Sequence, residues 1–544
     1  MVTWSQHFRL AGLIMLVAAC AAPGIAMAQT DPAADAIRQN EQRALDIDAA
    51  TSPAPQTDPI LTVTTPAGDL PAPGGPTVHL KSVVFEPASA FLTAEELNAI
   101  AAPYVGRRLD FAAIAKLVRA VNDLYAERGI VTAGAVLPPQ TLASGVLKIQ
   151  LVEGRQGVVS IVGDRKSSDA YIFNRIQLTR GDGIVDVPAA ADDIAFFNKT
   201  NRAQIRLLLQ PGAAFGFTDL TLGIVEPPPH TLQFFLDNHG VRSTGEVQTG
   251  LTYQAYGLMG MDDTLVASLT ASLGSIAGTI SYDIPITTAG TRISLGYSRS
   301  QIRVVDGPSE PLDINGGSQV ASLTASQPVF ATTDWSLIAL ASTSYGDSIS
   351  RAGVVSLVES TTTKASAGLA LSYTGTTGSF SIQPQIVFAA AQDKLAQSWR
   401  DLTIGTISGS GRLQLGDSFA FVVQGAGQYA GHQTLLPGDL LFKIGGPNTV
   451  RGYPSDGVAG DSGYFVQSEL HWNVAPSVDL FALTDFGQAF STFPARTTMM
   501  SIGAGVSYTA EHFGAELAVA APVLDAVADQ QNVALYAKMT GTFY

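Results

Sequence analysis

The C-terminal part of the chain, residues 229–544, consists of short stretches in which apolar and polar residues alternate. Residues 292–297, 380–388 and 464–474 show this period of two. In the last stretch, Tyr464 and the apolar residues that follow it alternate with Phe465, Gln467, Glu469, His471 and Asn473. A period of two gives each strand one apolar face and one polar face. A soluble β-sandwich and a membrane β-barrel both produce this pattern, and in the barrel the apolar face points outward.

Two features favour the membrane barrel. The β pattern runs to the end of the chain without a break, and the chain ends on an aromatic residue. The Gln, Asn, Glu and His residues on the polar faces suit a wet lumen. A bilayer interior tolerates closed β structure because every backbone group is then paired. At about 20 residues for each strand and its loop, residues 229–544 support an antiparallel transmembrane barrel of roughly 16 strands.

A different pattern in residues 77–153 predicts one small α+β domain. Val78–Phe85 reads as a strand, and Thr93–Glu96 is a capping box that opens a short helix. A second helix has its apolar face at Phe111, Ile114, Leu117, Val118, Val121, Leu124 and Tyr125. Gly129 ends this helix. Two further strands, at about 130–137 and 146–152, complete a β-α-α-β-β order.

Residues 154–228 form a second unit with a similar order of elements. Strands are expected near 158–162 and 220–225, with a helix near 190–201. The Pro227–Pro229 run ends this unit. The predicted fold is therefore mixed, with two small α+β domains followed by the barrel.

The N-terminus, residues 1–28, is predicted to be a signal peptide for export. Leu10–Ala22 is its apolar core, and Ala26–Ala28 is an A-x-A cleavage site. An alternative is a lipobox at Val17–Cys20, in which Cys20 would be lipidated. Cleavage after Ala28 would remove the only cysteine, and no disulfide would then stabilise the mature chain.

Two further segments lie between the signal peptide and the first domain. Residues 29–50 suit a short helix that is polar nearly all round, with Asp31 as its cap and Pro32 at its first position. Such a helix is stable only in water or in a wet cavity. Residues 51–76 contain seven prolines and are predicted to be an extended linker.

Composition narrows the possible functions. A formal charge of −15 argues against nucleic-acid binding, which needs clustered Lys and Arg. Only 14% of residues are charged, and this shortage indicates a surface that does not face water alone. The histidines lack metal-ligand spacing, and no motif indicates catalysis. The pair Asp262–Asp263 reads as a hairpin turn or an extracellular loop.

The stretch KIGGPNTVRGYPSDGVAG, residues 443–460, places one arginine in a loop rich in glycine and proline. Together with several other motifs, it makes the chain resemble the outer-membrane transporters of two-partner secretion, the hemolysin secretion/activation family. The other motifs are YAERGIVTAGAVLPPQTLASGVLKIQLVEG, TNRAQIRLLLQPGAAFGFTDLTLGIVEPPP, FFLDNHGVRSTG and LTDFGQ. The resemblance extends over the whole mature chain.

The resemblance implies a lumenal site. Residues of about 443–463 would fold back into the barrel, with the pore-loop motif at Val450, Arg451, Gly452 and Tyr453. Arg451 would pair there with Asp485 of an Asp-x-Gly motif that ends at Gly487. A guanidinium can bind a carboxylate through two parallel hydrogen bonds, which fits this assignment. Gly445 and Gly446 would act as the hinge of the loop.

The resemblance also implies a location and a function. The two small domains would be POTRA domains in the periplasm of a Gram-negative bacterium, and the barrel would lie in the outer membrane. The protein would recognise a large unfolded partner of the adhesin, cytolysin or contact-toxin type and thread it outward. Residues 29–50 would plug the lumen. The barrel-assembly machinery and outer-membrane lipid would be further partners, and no cofactor, metal, enzymatic activity or nucleic acid is expected.

The sequence leaves two other functions open. An insertase of the same superfamily shares the plan of POTRA domains and barrel, and a passive porin or adhesin shares the barrel. The C-terminus also departs from the family pattern. Apolar residues lie in the frame of Phe543, whereas the frame of Tyr544 is polar. Either aromatic residue is therefore a candidate for the assembly signal.

Overall fold

The computed structural model describes residues 60–61, 74–307, 309–432, 435–455, 458–490, 496–527 and 530–544. The predicted signal peptide, the predicted polar helix and most of the predicted linker lie outside these residues. Within the described ranges, no helix is both long enough and apolar enough to span a bilayer.

The first small domain contains two helices that pack against a three-stranded sheet. Its elements, with the short strand that precedes it, are β1 (Ile60–Leu61), β2 (Val78–His79), β3 (Ser82–Glu86), α1 (Ala94–Ala101), β4 (Arg108–Leu109), α2 (Phe111–Glu127), β5 (Ala133–Val136) and β6 (Val146–Glu153). The sheet order is β3-β6-β5, with β3 parallel and β5 antiparallel to β6. Strands β2 and β4 form a separate pair. The predicted capping box of α1 is present, since Thr93 accepts the N–H of Glu96 at 3.3 Å.

One predicted core position of this domain is wrong. Phe111 is 57% exposed, whereas Leu117, Val121 and Tyr125 on the predicted apolar face of α2 are fully buried. Phe111 is the first residue of α2, directly after the N-cap Asp110. The helical period assigned it to the buried face, but at this end the sheet does not reach the side chain.

The second small domain repeats the plan with a longer sheet. Its elements are β7 (Arg155–Val162), α3 (Asp169–Phe173), β8 (Thr179–Arg180), β9 (Ile184–Val185), α4 (Val187–Thr200), β10 (Gln204–Pro211) and β11 (Phe217–Val225). The sheet order is β1-β10-β11-β7-β9-β8. Strand β1, from the segment predicted as linker, runs parallel to β10, with Ile60 opposite Leu207 and Leu61 opposite Leu208. The sequence predicted neither β10 nor this pairing.

Sixteen antiparallel strands close into a barrel, as predicted. They are β12 (His230–Asp237), β13 (Gln248–Tyr256), β14 (Thr264–Ser272), β15 (Ser275–Pro285), β16 (Arg292–Arg303), β17 (Ile314–Ala331), β18 (Trp335–Ala352), β19 (Val355–Gly375), β20 (Gly378–Asp393), β21 (Ser398–Leu415), β22 (Phe419–Tyr429), β25 (Ser462–Ala475), β26 (Val478–Phe490), β27 (Thr497–Thr509), β28 (Phe513–Pro522) and β29 (Ala534–Phe543). A short pair, β23 (Phe442–Ile444) and β24 (Val458–Gly460), lies between β22 and β25 and outside the barrel sheet.

The first and last strands form the seam of the barrel. Strands β12 and β29 pair over six residues, from Leu232 opposite Phe543 to Asp237 opposite Lys538. The side chain of Asn238 continues this pairing, because its amide donates to the carbonyl of Leu535 at 2.7 Å and accepts the N–H of Ala537 at 2.8 Å. A side-chain amide thus extends the backbone ladder beyond the end of β12.

Asp262 joins the second domain to the barrel, whereas the side chain of its neighbour Asp263 bonds Met259 and Tyr282 of the barrel region. Asp262 and Asp263 lie in the turn between β13 and β14, and neither is exposed to solvent. Asp262 accepts the N–H groups of Arg202 and Ala203 in the second domain, each at 3.0 Å, and pairs with Arg292 of β16 at 2.9 Å. The prediction of a turn is correct, but this turn faces the small domains and not the opposite, extracellular side.

Candidate functional site in the barrel lumen

The described parts of the segment between β22 and β25, residues 430–432, 435–455 and 458–461, fold back into the barrel. On the outer surface Leu470 is 44% exposed and Phe486 is 37% exposed. Because successive side chains of a strand point to opposite faces, the neighbouring residues Glu469 and Asp485 point into the lumen. The loop residue Arg451 contacts both of these carboxylates. We call residues 443–463 the lid loop.

Asp485 and Glu469 bind Arg451, and Asp485 binds both its side chain and its backbone. Its Nη2 lies 2.7 Å from Oδ1 of Asp485, and its Nε lies 2.8 Å from Oδ2. The backbone N–H of the same arginine donates to Oδ2 of Asp485 at 3.0 Å. Its Nη1 pairs with Glu469, whose other oxygen lies 2.8 Å from Nε2 of His471. Arg451 is 6% exposed and Asp485 is fully buried. The planar guanidinium therefore forms two hydrogen bonds with the carboxylate of Asp485, and its remaining nitrogen binds the carboxylate of Glu469.

The neighbours of Arg451 in the motif attach the lid loop to other strands. The N–H of Gly452 donates to the hydroxyl of Tyr536 on β29 at 2.8 Å. The hydroxyl of Tyr453 lies 2.9 Å from the carbonyl oxygen of Met500 on β27, and the backbone N–H of Met500 donates to the same hydroxyl at 3.2 Å. Val450 is fully buried in a small cluster with Ile444, Tyr453, Ala489 and Met499. The motif thus touches β26, β27 and β29 as well as the glutamate of β25.

Glycines allow the close approach of the lid loop to the wall. Gly445, Gly446 and Gly452 have φ angles of +112°, +82° and +91°, which side chains rarely adopt. Gly487 of β26 is required for space and not for its backbone angle, because a Cβ there would lie 2.6 Å from Cγ2 of Val450. The Asp-x-Gly motif therefore supplies both the carboxylate for Arg451 and the space for its neighbour.

The structure brings together the residues that the sequence singled out and adds two more. Val450, Arg451, Gly452 and Tyr453 meet the β26 residues Asp485 and Gly487. The added members are Glu469 and Tyr536, which bind Arg451 and Gly452. The alternating pattern had assigned Glu469 and His471 to the polar face of their strand, but nothing local to them indicates an arginine partner. Tyr536 carried no sequence indication.

No group of His, Cys, Asp and Glu residues in the described ranges could hold a metal ion. The lumenal cluster instead pairs its charged groups with one another. One buried guanidinium faces two carboxylates, and the imidazole of His471 bonds the second carboxylate. A buried ion pair of this kind contributes positional specificity more than net stability, since desolvation offsets much of the attraction. The arrangement is suited to holding a loop in place.

Comparisons with known proteins agree with this architecture. Residues 216–508, more than half of the chain, match the family described as haemolysin secretion/activation protein ShlB/FhaC/HecB. Residues 78–154 match the ShlB-type POTRA domain. The outer membrane transporter CdiB of Dickeya dadantii is 25% identical over 79% of this chain and 80% of its own length. The heme/hemopexin transporter protein HuxB of Haemophilus influenzae is 22% identical over 82% of this chain and 84% of its own length.

A solved structure shows the same fold. CdiB from Escherichia coli superposes with a TM-score of 0.68 at 22% identity, covering 95% of this chain and 100% of that one. Both the family match and the fold include the periplasmic POTRA region and the 16-stranded barrel. The chain therefore belongs to the haemolysin secretion/activation family, the outer-membrane transporters of two-partner secretion.

Proposed function

We propose that this transporter recognises one large exported protein in its unfolded state and threads it through the barrel to the cell surface. The POTRA domains bind the partner in the periplasm through exposed strand edges, where backbone hydrogen bonds give affinity with little demand on sequence. The lid loop then leaves its site in the lumen, and residues 29–50 move out of the pore. Folding outside the cell makes the passage irreversible.

The attachment of Arg451 carries this proposal. The lid loop occupies the lumen, where the charge pairs of Arg451 and the small apolar cluster around Val450 hold it. The hydrogen bonds and charge pairs can be exchanged for bonds to water when the lumen is hydrated, and the apolar cluster that the departing loop exposes is small. A lumen closed in this reversible way suits intermittent passage of a polypeptide and does not suit a passive porin.

The partner is expected to be of the adhesin, cytolysin or contact-toxin type. The relatives include the outer membrane transporter CdiB and the heme/hemopexin transporter protein HuxB. Insertion of this barrel requires the barrel-assembly machinery and outer-membrane lipid. The exposed apolar residues in the frame of Phe543, namely Leu535, Met539 and Phe543, face lipid and favour that aromatic residue as the assembly signal.

The proposal is tested by comparing the proteins of the culture supernatant and of the outer membrane with and without the gene. We expect one large protein to disappear from the supernatant while other barrels stay at their normal level. Loss of many barrels from the membrane would indicate an insertase. No change in either fraction would indicate a porin or an adhesin.

A further inference from the structure

The segment just before the lid loop contacts a different part of the lumenal wall. We call residues 435–441 the stem. Its leucines form a buried apolar cluster with side chains of β20 and β21, and this cluster includes Leu436, Leu440, Leu441, Ala389, Ala391, Leu402 and Ile404. Ala389 points into the lumen, because its neighbour Phe388 is 55% exposed on the outer surface. The stem therefore lies on the inner face of the barrel, as the lid loop does.

Asp461 and Arg400 fix the first residues of the stem. The carboxylate of Asp461 accepts the N–H of Leu435 at 3.1 Å and that of Leu436 at 2.8 Å. Asp461 is only 2% exposed. The guanidinium of Arg400 on β21 donates to the carbonyl of Leu435. Because Asp461 directly precedes β25, its bonds tie the stem to the start of a barrel strand.

Side chains of β19 and β22 hold the other end of the stem. The side-chain amide of Gln428 on β22 donates to the carbonyl of Leu440 at 2.7 Å. Nζ of Lys364 on β19 lies 3.1 Å from Oδ2 of Asp439, and these side chains are 32% and 16% exposed. The stem is thus attached to four neighbouring strands, β19 to β22, through apolar packing, hydrogen bonds and one charge pair.

The tip of the lid loop is a separate folded unit, which we define as residues 445–455. The hydroxyl of Thr449 accepts the N–H of Gly445 at 2.8 Å and donates to its carbonyl at 2.7 Å. The N–H of Gly446 donates to the carbonyl of Tyr453 at 2.9 Å. The β23–β24 pair connects this lid tip to the stem. The contacts described above for the lid tip lie on β25, β26, β27 and β29, so they share no residue with those of the stem.

We infer that the stem is a fixed tether for the lid tip. When Arg451 leaves Asp485, the bonds described for the stem stay in place. The lid tip then pivots at Gly445 and Gly446, whose positive φ angles place them at its start. After the exported chain has passed, the tether returns the lid tip to the same site. This inference rests on the proposed function and specifies which part of the gate moves and how it closes again.

The length of the connection limits how far the lid tip can travel. Ten residues lead from Leu441 to Arg451, and an extended chain of this length spans at most about 36 Å. Arg451 therefore stays near Asp485 and rebinds within the same molecule. Without the stem, the free chain would begin at Tyr429, the end of β22, and would be about twice as long. The effective concentration of Arg451 at its site would then fall by about threefold.

The separate motion of lid tip and stem is tested by labelling intact cells with a membrane-impermeant maleimide. One variant of the full-length protein carries Val450→Cys in the lid tip, and its matched control carries Leu436→Cys in the stem. Both side chains are buried. Each variant is measured with Arg451 present and with Arg451→Ala, and the protein without an added cysteine gives the background.

We expect Arg451→Ala to accelerate labelling at position 450 and to leave labelling at position 436 slow. Heat-modifiable gel mobility shows that each variant is folded. Acceleration at both positions would mean that the stem leaves together with the lid tip. Acceleration at neither position would mean that the lid tip does not move. Either result would overturn the inference.

The return of the lid tip is tested by planar-bilayer recording of the purified full-length protein. Asp439→Lys places two cations side by side and loosens the stem, so the pore should close more slowly, by up to about threefold. Adding Lys364→Asp restores the pair with its charges exchanged and should restore the closing rate, which a merely weakened barrel would not regain. An unchanged rate in Asp439→Lys, or no recovery in the double variant, would overturn the tether. Both experiments work without the exported partner, so they are independent of the supernatant comparison, which alone decides the proposed function.

Discussion

A methyl group placed on Gly487 would lie 2.6 Å from Cγ2 of Val450, so the barrel wall and the lid loop touch without room for one more carbon. We expect Gly487→Ala to push Val450 out of its cluster and to reduce secretion. Limited proteolysis of residues 443–463 in outer-membrane fractions measures the displacement. Gly405→Ala on β21 is the matched control, because its nearest atom lies at an ordinary 3.8 Å. Equal protection of the loop in both variants would contradict this packing argument.

Arg451→Ala should abolish most secretion while the barrel stays folded in the membrane. The substitution leaves Asp485 buried without its cation, which typically costs about 3–5 kcal/mol. Arg451→Lys keeps the charge but loses the two-pronged contact, and an intermediate effect is expected. Secretion of the partner and the temperature of the heat-modifiable gel shift are the two measurements.

The double variant Arg451→Ala with Asp485→Ala separates the effect of lost barrel stability on secretion from the effect of losing the attachment of the lid loop. Removal of both charges should restore much of the barrel stability lost in the single variant, because no unpaired buried charge is left. Secretion should stay low if the lid loop has to be held in place for transport. Full secretion by the Arg451→Ala variant would remove the functional role of the lid loop.

Asp262→Ala should loosen the attachment of the second POTRA domain to the barrel. Asp262 is fully buried and binds Arg292 and two backbone N–H groups, so its loss leaves several groups unsatisfied. We expect faster tryptic cleavage after Arg202 and lower secretion. The control is Asp306→Ala, which breaks a pair with Arg242 in which both side chains are more than half exposed. Exposed pairs contribute at most about 1 kcal/mol, so this variant should behave as wild type.

Deletion of residues 31–50 should raise the conductance of the purified barrel in a planar bilayer. The expected reason is that this polar segment occupies the wet lumen, which a helix without an apolar face tolerates. Unchanged conductance would mean that the segment is not a plug. Combining the deletion with Arg451→Ala shows whether the lid loop obstructs the pore independently.

Acid should weaken the first POTRA domain through Glu96. The N–H of Thr93 and the guanidinium of Arg128 bind this carboxylate and lower its pKa below the usual value. A lowered pKa contributes stability that is present above the unfolded-state pKa and is lost as the pH falls through the folded-state pKa. The protection factors of the amides of residues 94–101, corrected for the intrinsic pH dependence of exchange, should therefore fall at acid pH. In Glu96→Gln this pH dependence should be smaller, whereas Glu95→Gln, in the same turn, should keep it.

Local patterns predicted most of the fold. The period of two gave the strands of the barrel, and the Thr93–Glu96 box gave the start of α1, because both depend on neighbours in sequence. Phe111 was misassigned, since a helical period does not show where the opposing sheet ends. The role of Asp262 was missed because its partners Arg202 and Ala203 lie some 60 residues earlier, in another domain.

The site was predictable only in part for the same physical reason. The motif around Arg451 and the Asp-x-Gly motif at Asp485 stand out by resemblance, and a lumenal guanidinium needs a carboxylate. Glu469 and Tyr536 become partners only when strands separated in sequence meet across the closed barrel. The pairing of Ile60–Leu61 with β10 was likewise invisible, because a two-residue strand has no period of its own.

The seam between β12 and β29 has a consequence for biosynthesis. Its two halves lie about 300 residues apart, and Asn238 binds the backbone on both sides of Tyr536. The cylinder therefore cannot close until the final ten residues have been translated and exported. A truncated chain would keep two unpaired edges, which a bilayer does not accommodate. Ring closure thus depends on the strand that is made last, and we expect chains that lack β29 not to persist in the membrane.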